Sequence, residues 1–291
     1  MSESKKLRQL LAEPNQSLIV PGAGTPLEAR AAQRAGFDAV YVSGYAIAAW
    51  RHGLPDIGLL GMRELLDALG AIHRVCTLPL IVDADTGYGD ATSVFTNVRL
   101  LEAAGANAIQ IEDQTWPKKC GHMVGKQVVV ADEAVRKVAA AVEARQDDNT
   151  LIIGRTDALS PLGIDEAIRR GQRYHDVGAD IVFVDAPGSV EDLALIGRSI
   201  PGLRMANVSE GGRTPSLSAD QFHELGFQLV IYPTTPLRVA ALAIEEFAAD
   251  LRRSGDASGW STRMYGLDQL NELVGLEEYL NVGDRLNARE F

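Results

Sequence analysis

The chain has little of several things a protein can be built around. Cysteine occurs twice in 291 residues, at Cys76 and Cys120, too few for a disulfide framework or a zinc ribbon. Positive charge is short as well: 28 lysines and arginines face 39 aspartates and glutamates, a formal net charge of -11. That balance disfavours nucleic acid and anionic membranes as partners and leaves small metabolites. No run reaches the roughly 18 uncharged apolar residues of a membrane helix. The opening MSESKKLRQLLAEPN lacks the apolar core of a signal peptide, so a reducing cytoplasmic location is expected. A nucleotide fingerprint is missing too. PGAGTPLEA has neither G-x-G-x-x-G spacing nor a following lysine–threonine pair, and reads as a helix start with Thr25 as cap and Pro26 in the first turn.

What is present is an ordinary globular composition, 46% hydrophobic and 23% charged. Four segments share one design: AGFDAVYVSG from Ala35, AGANAIQIED from Ala104, VGADIVFVDA from Val177 and LGFQLVIYPT from Leu225. Each sets a helix-stopping glycine and a short turn before an apolar run that reads as a strand buried on both faces. SLIVPG, LPLIVDAD, TLIIGRTDA and GLRMANVSE lie between them, each followed by helix-like sequence. Strict strand–helix alternation over eight units predicts an α/β fold of the (β/α)₈ TIM-type barrel class. The barrel is expected to span 1–255. Residues 256–291 form a helical extension whose Met264, Leu267, Leu270, Leu273, Val274 and Leu280 need a surface to cover, a neighbouring subunit.

Barrel chemistry sits at the C-terminal strand ends. Those ends offer Tyr41, Ser43, Gly44 and Tyr45, then Asp83 and Asp85, Glu112 and Asp113, Arg155 and Asp157, Asp185, and finally Asn207, Ser209 and Glu210. Six carboxylates from four strands thus converge near Arg155. Asp83 and Asp85, two apart on a strand, leave the same face; with Glu112 they make a hard oxygen cluster suited to Mg²⁺ or Mn²⁺. The plainer alternative is that these acids cap helices or pair with Arg155. Cys120 lies in a glycine-broken loop among Lys118, Lys119, His122 and Lys126, which favour a thiolate or a ready proton donor, whereas Cys76 reads as a buried apolar residue. Gly121 and Gly125 let such a loop move as a lid. Glu210 with Asn207 reads either as a carboxylate-binding pair, as a hold on the lid through Lys118 or His122, or as a rim salt bridge.

KKCGH, VDADTGYG, IEDQ, GRTDA and NVSEGG, in this order and spacing, resemble the motifs of the isocitrate lyase and phosphoenolpyruvate mutase superfamily over nearly the whole chain. VSGYAIAAWRHGLPDIGLL, EDQTWPKKCGHMVGK and NVSEGGRTP are most similar to its 2-alkylmalate lyase and oxaloacetate hydrolase branch. The resemblance implies a barrel exchanging its last helix between subunits in a homotetramer, a dimer of dimers. It implies one Mg²⁺ at Asp85, with Asp56, Asp83 and Glu112 acting mostly through water. Substrate oxygens are expected at Ser43, Gly44, Tyr45 and Arg155, with Gly121, His122, Asn207 and Glu210 completing the binding set. Cys120 is expected as the acid, and Tyr45 or a metal-ordered carboxylate as the base. The implied reaction cleaves a 2-alkylmalate or 2,3-dialkylmalate, a dicarboxylate, to a 2-oxo acid and a carboxylic acid. Alternatives are oxaloacetate hydrolysis, 2-methylisocitrate cleavage and carboxyphosphonoenolpyruvate phosphoryl transfer. Met123 stands where lyases of tricarboxylates tend to have arginine, and Asp185 stands where relatives tend to have glutamate, which leaves its role open.

Overall fold

A computed structural model describes residues 2–287. Eight parallel strands close into one barrel in sequence order: β1 Leu18–Ala23, β2 Val40–Val42, β3 Leu80–Asp83, β4 Ala108–Glu112, β5 Leu151–Thr156, β6 Ile181–Val184, β7 Leu203–Asn207 and β8 Leu229–Tyr232. The ring shuts through β1 on β8, from Leu18 opposite Leu229 to Pro21 opposite Tyr232. All four expected repeat strands are β strands of the barrel, and the TIM-type reading of the sequence holds.

Alternation along each strand sends one set of side chains inward and the other against the helices. The inward set includes Val20, Tyr41, Ile81, Ile153, Phe183, Met205 and Ile231, which form one buried cluster with Leu7 and Leu11. Those two leucines belong to the helix Glu3–Leu11, which closes the N-terminal end of the barrel and is capped by Ser2 accepting from the Lys5 amide. With one end plugged, only the other is open to a ligand.

Two registers fix the neighbourhood of the site. Glu112 lies opposite Arg155 across β4 and β5, and Arg155 opposite Phe183 across β5 and β6. β3 stops at Asp83; Asp85 lies just beyond it with a left-handed φ of 46°, so it is a turn residue and not a strand residue.

After β8 the helix Thr235–Ser254 buries only Leu237. The helix Leu267–Val274 packs on Pro26–Arg34, where Arg30 Nη1 donates to the Leu273 carbonyl at 3.2 Å. Of the extension's apolar positions Leu273 is buried, while Met264, Leu267, Leu270, Val274 and Leu280 are exposed in the single chain. The last four residues of the extension, 288–291, lie outside the described residues. Among the described residues no helix is long and apolar enough to cross a membrane.

Candidate active site

The dipeptide Glu112–Asp113 shows how the strands sort their acids. Glu112 points into the barrel mouth. Asp113, next in the chain, faces outward and accepts from the Thr156 hydroxyl at 2.7 Å, the Tyr174 hydroxyl at 2.8 Å, Arg170 Nη1 at 2.9 Å and the Asp157 amide at 2.8 Å. Asp113 is thus a structural node, and five of the six carboxylates expected around Arg155 remain there.

At one pole of the mouth stand Asp56, Asp83, Asp85 and Glu112. Asp83 Oδ1 accepts from Gln110 Nε2 at 3.0 Å and from the Asp85 amide at 3.2 Å, and the Tyr41 hydroxyl donates to Gln110 at 3.0 Å. Lys118 Nζ bridges Asp56 at 2.5 Å and Asp85 at 2.7 Å. Burial nonetheless lifts Asp85 to about 6, against the pull of Lys118, and lifts Glu112 well above the carboxylate range, against the pull of Arg155. Asp85 Oδ1 has only the ion pair with Lys118, Glu112 Oε2 only an ion pair with Arg155 Nη1 at 3.2 Å, and Glu112 Oε1 is buried with no partner. Hard oxygens, desolvated and short of positive charge, fit a divalent cation. Among the described residues no three such side chains are grouped tightly enough to chelate an ion unaided, so water and substrate oxygens must complete any shell.

The opposite pole is balanced. Asp157 takes Arg155 in a fork, Nε at 2.8 Å and Nη2 at 3.0 Å, and Lys126 Nζ at 2.8 Å. Asp185 accepts from Lys126 at 3.1 Å and lies 3.6 Å from Arg155 Nη2. Burial works against the Asp185 charge, but Arg155 and Lys126 outweigh it and hold the carboxyl well below its ordinary range.

The loop 115–126 lies closed over both poles. Lys118 anchors it to the first and Lys126 to the second, and the Cys120 amide donates to the Asp56 carbonyl at 3.2 Å. Gly121 packs so closely on the second pole that a Cβ there would sit 1.9 Å from Asp185 Oδ2. His122 Nδ1 accepts from the Arg213 amide at 3.2 Å and its Nε2 faces Asn207 at 3.3 Å; burial lowers its pKa and keeps the ring neutral. The lysines expected to activate Cys120 are committed elsewhere: Lys119 Nζ caps the Gly125 carbonyl at 3.1 Å, and the other two hold carboxylates. Burial raises the thiol, against the His122 amide, which favours the second of its two expected roles, that of a proton donor.

A cavity of about 60 Å³ lies between these parts, lined by Ser43, Tyr45, Asp56, Asp83, Cys120, Gly121, His122, Arg155 and Asn207, with Phe183, Ile231, Pro233 and Thr234 as an apolar wall. Ser43 caps the helix Gly44–His52, its Oγ accepting from the Ala46 amide at 3.2 Å, and the first-turn amides of Gly44 and Tyr45 have no acceptor among the described residues and are free to meet an anion. Gly44 borders the acid pole: a Cβ there would lie 3.6 Å from Asp85 Oδ1. Glu210 does not line the cavity. It accepts from the Thr235 hydroxyl at 2.9 Å and pairs with Arg238 at 3.2 Å, the rim salt bridge among its alternatives. Gln110, Phe183 and Ile231 were not singled out in the sequence, although all three sit at inward positions of β4, β6 and β8 that alternation marks.

Comparison with known proteins places the chain in a family. The family model described as phosphoenolpyruvate phosphomutase matches residues 7–252. The chain is 42% identical over 282 residues to the 2,3-dimethylmalate lyase of Eubacterium barkeri, covering 97% of each. It is 45% identical over 276 residues to a probable 2-methylisocitrate lyase of Corynebacterium glutamicum, covering 94% of this chain and 90% of the other. Among solved structures it superposes on an oxaloacetate acetylhydrolase bound to 3,3-difluorooxalacetate with a TM-score of 0.92 at 31% identity, over 100% of this chain and 99% of that one.

Proposed function

Because the chain belongs to the phosphoenolpyruvate phosphomutase family of enzymes, we propose that it is a Mg²⁺-dependent lyase that splits a 2-alkylmalate or 2,3-dialkylmalate into a 2-oxo acid, such as pyruvate, and a carboxylic acid. The observation that carries this reading is the place of the Cys120 thiol, held by the closed lid against a cavity with an acid pole, one guanidinium and an apolar wall.

Asp85, with Asp56, Asp83 and Glu112 through water, has the oxygens to hold Mg²⁺ (or Mn²⁺), which supplies a lowered pKa for the substrate 2-hydroxyl and polarises the adjoining carbonyl oxygen. The amides of Gly44 and Tyr45 and the Arg155 guanidinium bind carboxylate. The 2-hydroxyl gives its proton to a base on the Tyr45 side of the cavity; the C2–C3 bond breaks, its electrons pass into the carboxylate of the departing fragment as an enediolate, and Cys120 delivers a proton to C3. Gly121 and His122, the latter against Asn207, fix the thiol in place, and Glu210 braces the rim. Phe183, Ile231, Pro233 and Thr234 receive the alkyl groups.

Arg155 is the single arginine lining the cavity, and the lid lysines are already paired, which favours a dicarboxylate over the tricarboxylate named for the Corynebacterium relative. We further assign the protein to the cytoplasm, where both thiols stay reduced, and to a homotetramer in which the helical extension covers a neighbouring subunit.

Products are to be identified by NMR after incubation with Mg²⁺ and 2-methylmalate, 2,3-dimethylmalate, 2-methylisocitrate or oxaloacetate. Pyruvate from a dialkylmalate is expected, lost by about 10²–10⁴-fold in Cys120→Ser. Oxalate and acetate from oxaloacetate would move the protein to the hydrolases, and faster turnover of 2-methylisocitrate would overturn the dicarboxylate assignment.

A further inference from the structure

Three lysines are almost wholly buried: Lys118 at 4% exposure, Lys126 at 5% and Lys137 at 4%. The first two each hold two carboxylates. Lys137, in the helix Ala131–Ala144, makes no ion pair and no hydrogen bond with any described residue. Burial lowers its pKa, and Glu133, the acid that opposes this most, lies beyond ion-pair distance. Lys137 lines a separate cavity of about 420 Å³ with Thr86, Tyr88, Gly89 and Trp116. Thr86 is 3% exposed, and its hydroxyl likewise has no partner among the described residues. Two donors without a protein partner among the described residues therefore open on one space, and the Tyr88 and Trp116 rings, with centroids 6.2 Å apart, form its apolar side.

We propose that this cavity is a second anion site, distinct from the active-site mouth, which takes a small molecule bearing a carboxylate or phosphate group. Its oxyanion binds the Lys137 ammonium and the Thr86 hydroxyl, and its apolar part rests on Tyr88 and Trp116. The Lys137 stem is buried while its ammonium opens on this space, with Glu133, Glu112, Asp113 and Asp90 acting on it only from beyond ion-pair distance, so an anion in the space would be its first direct partner. Position gives the site leverage over the reaction. Thr86 to Gly89 continue the turn that carries Asp85, the Tyr88 hydroxyl donates to Asp85 Oδ2 at 3.5 Å, and Trp116 stands at the base of the lid beside Gly58. Occupancy thus steadies both the acid pole and the closed loop.

Isothermal titration on the full chain tests this, with Mg²⁺ and saturating oxalate present to fill the active site, using inorganic phosphate, isobutyrate and chloride as probes. Saturable binding of phosphate or isobutyrate is expected, weakened about tenfold or more in Lys137→Met and kept within about threefold in Lys137→Arg. The better of the two probes identifies the ligand as a phosphate compound or a carboxylate. Thr86→Val supplies a second reading, an expected loss of about threefold, should the Lys137→Met chain fail to fold. Unchanged affinity in the variants, equal binding of chloride, or no saturation by either oxyanion would overturn the proposal.

Discussion

Asp85 and Asp185 are buried aspartates just past β3 and β6 of one barrel rim, yet they live in opposite electrostatic conditions. Around Asp185, two acids, Asp157 and Asp185, face two cations, Lys126 and Arg155. Around Asp85, the acids Asp56, Asp83, Asp85 and Glu112 share Lys118 and one edge of Arg155. The same carboxyl is therefore held low in one place and pushed up to about 6 in the other. The protein balances one cluster with its own side chains and leaves the other short of positive charge. That imbalance is one a divalent cation would offset.

The largest expected effect separates the two aspartates by stability. Asp185→Asn leaves the buried Lys126 with Asp157 alone, which Arg155 also claims, and should cost about 3–5 kcal/mol in urea unfolding. Asp85→Asn in metal-free protein at pH 7.5 should cost nothing or stabilise. Greater damage from Asp85→Asn would break the comparison.

The second effect is one of pH. A carboxyl raised from 3.8 to about 6 binds a proton in the folded state that the unfolded chain has lost. Its ionisation therefore lowers stability as pH rises between those values, by on the order of 3 kcal/mol, and no further above them. Asp185, depressed, acts in the other sense: its contribution is full above the unfolded carboxyl value and fades only in strong acid. A cation at the Asp85 pole should relieve the first loss. The melting temperature gained on adding Mg²⁺ should be small at pH 5 and larger at pH 7.5. A gain independent of pH would remove Asp85 from the metal's reach.

Gly121→Ala sharpens the contrast from the lid side. With a Cβ 1.9 Å from Asp185 Oδ2 the loop cannot settle on the balanced pole, and displacing the thiol by about 1 Å should lower kcat about 10²-fold while KM changes little. The smallest effect belongs to Glu210→Gln, whose partners Thr235 and Arg238 lie on the exposed rim. Stability should fall by under about 1 kcal/mol, with kcat near that of the wild type. A steep loss of kcat would instead put Glu210 on the substrate.

Much of this was legible in the sequence, because strand–helix alternation and strand-end acids are local patterns. Eight strands, their order and the mouth residues from Ser43 to Asn207 follow from them. What the sequence hid is which partner each charge chooses. Lys118, Lys119 and Lys126 flank Cys120 along the chain, yet two of them reach past it to acids that follow other strands, while burial raises the thiol. Asp113 stands beside Glu112 and reads like it until the pleat turns it outward. Asp85 keeps its expected place near Asp83, but through a left-handed turn that no strand pattern foretells. Lys137 gave no signal at all, since an unpaired lysine is defined by what its surroundings lack.

The opposed pair Glu112 and Asp113 has one more consequence, in terms of what insertions and deletions β4 can tolerate. A one-residue slip in this strand would turn the mouth carboxylate into the helix layer and bring the node held by Thr156, Tyr174 and Arg170 into the mouth. Reactivity and architecture would be lost in one event. Length change along this strand should therefore be confined to the turns on either side of it, while loops far from the pair remain free to grow.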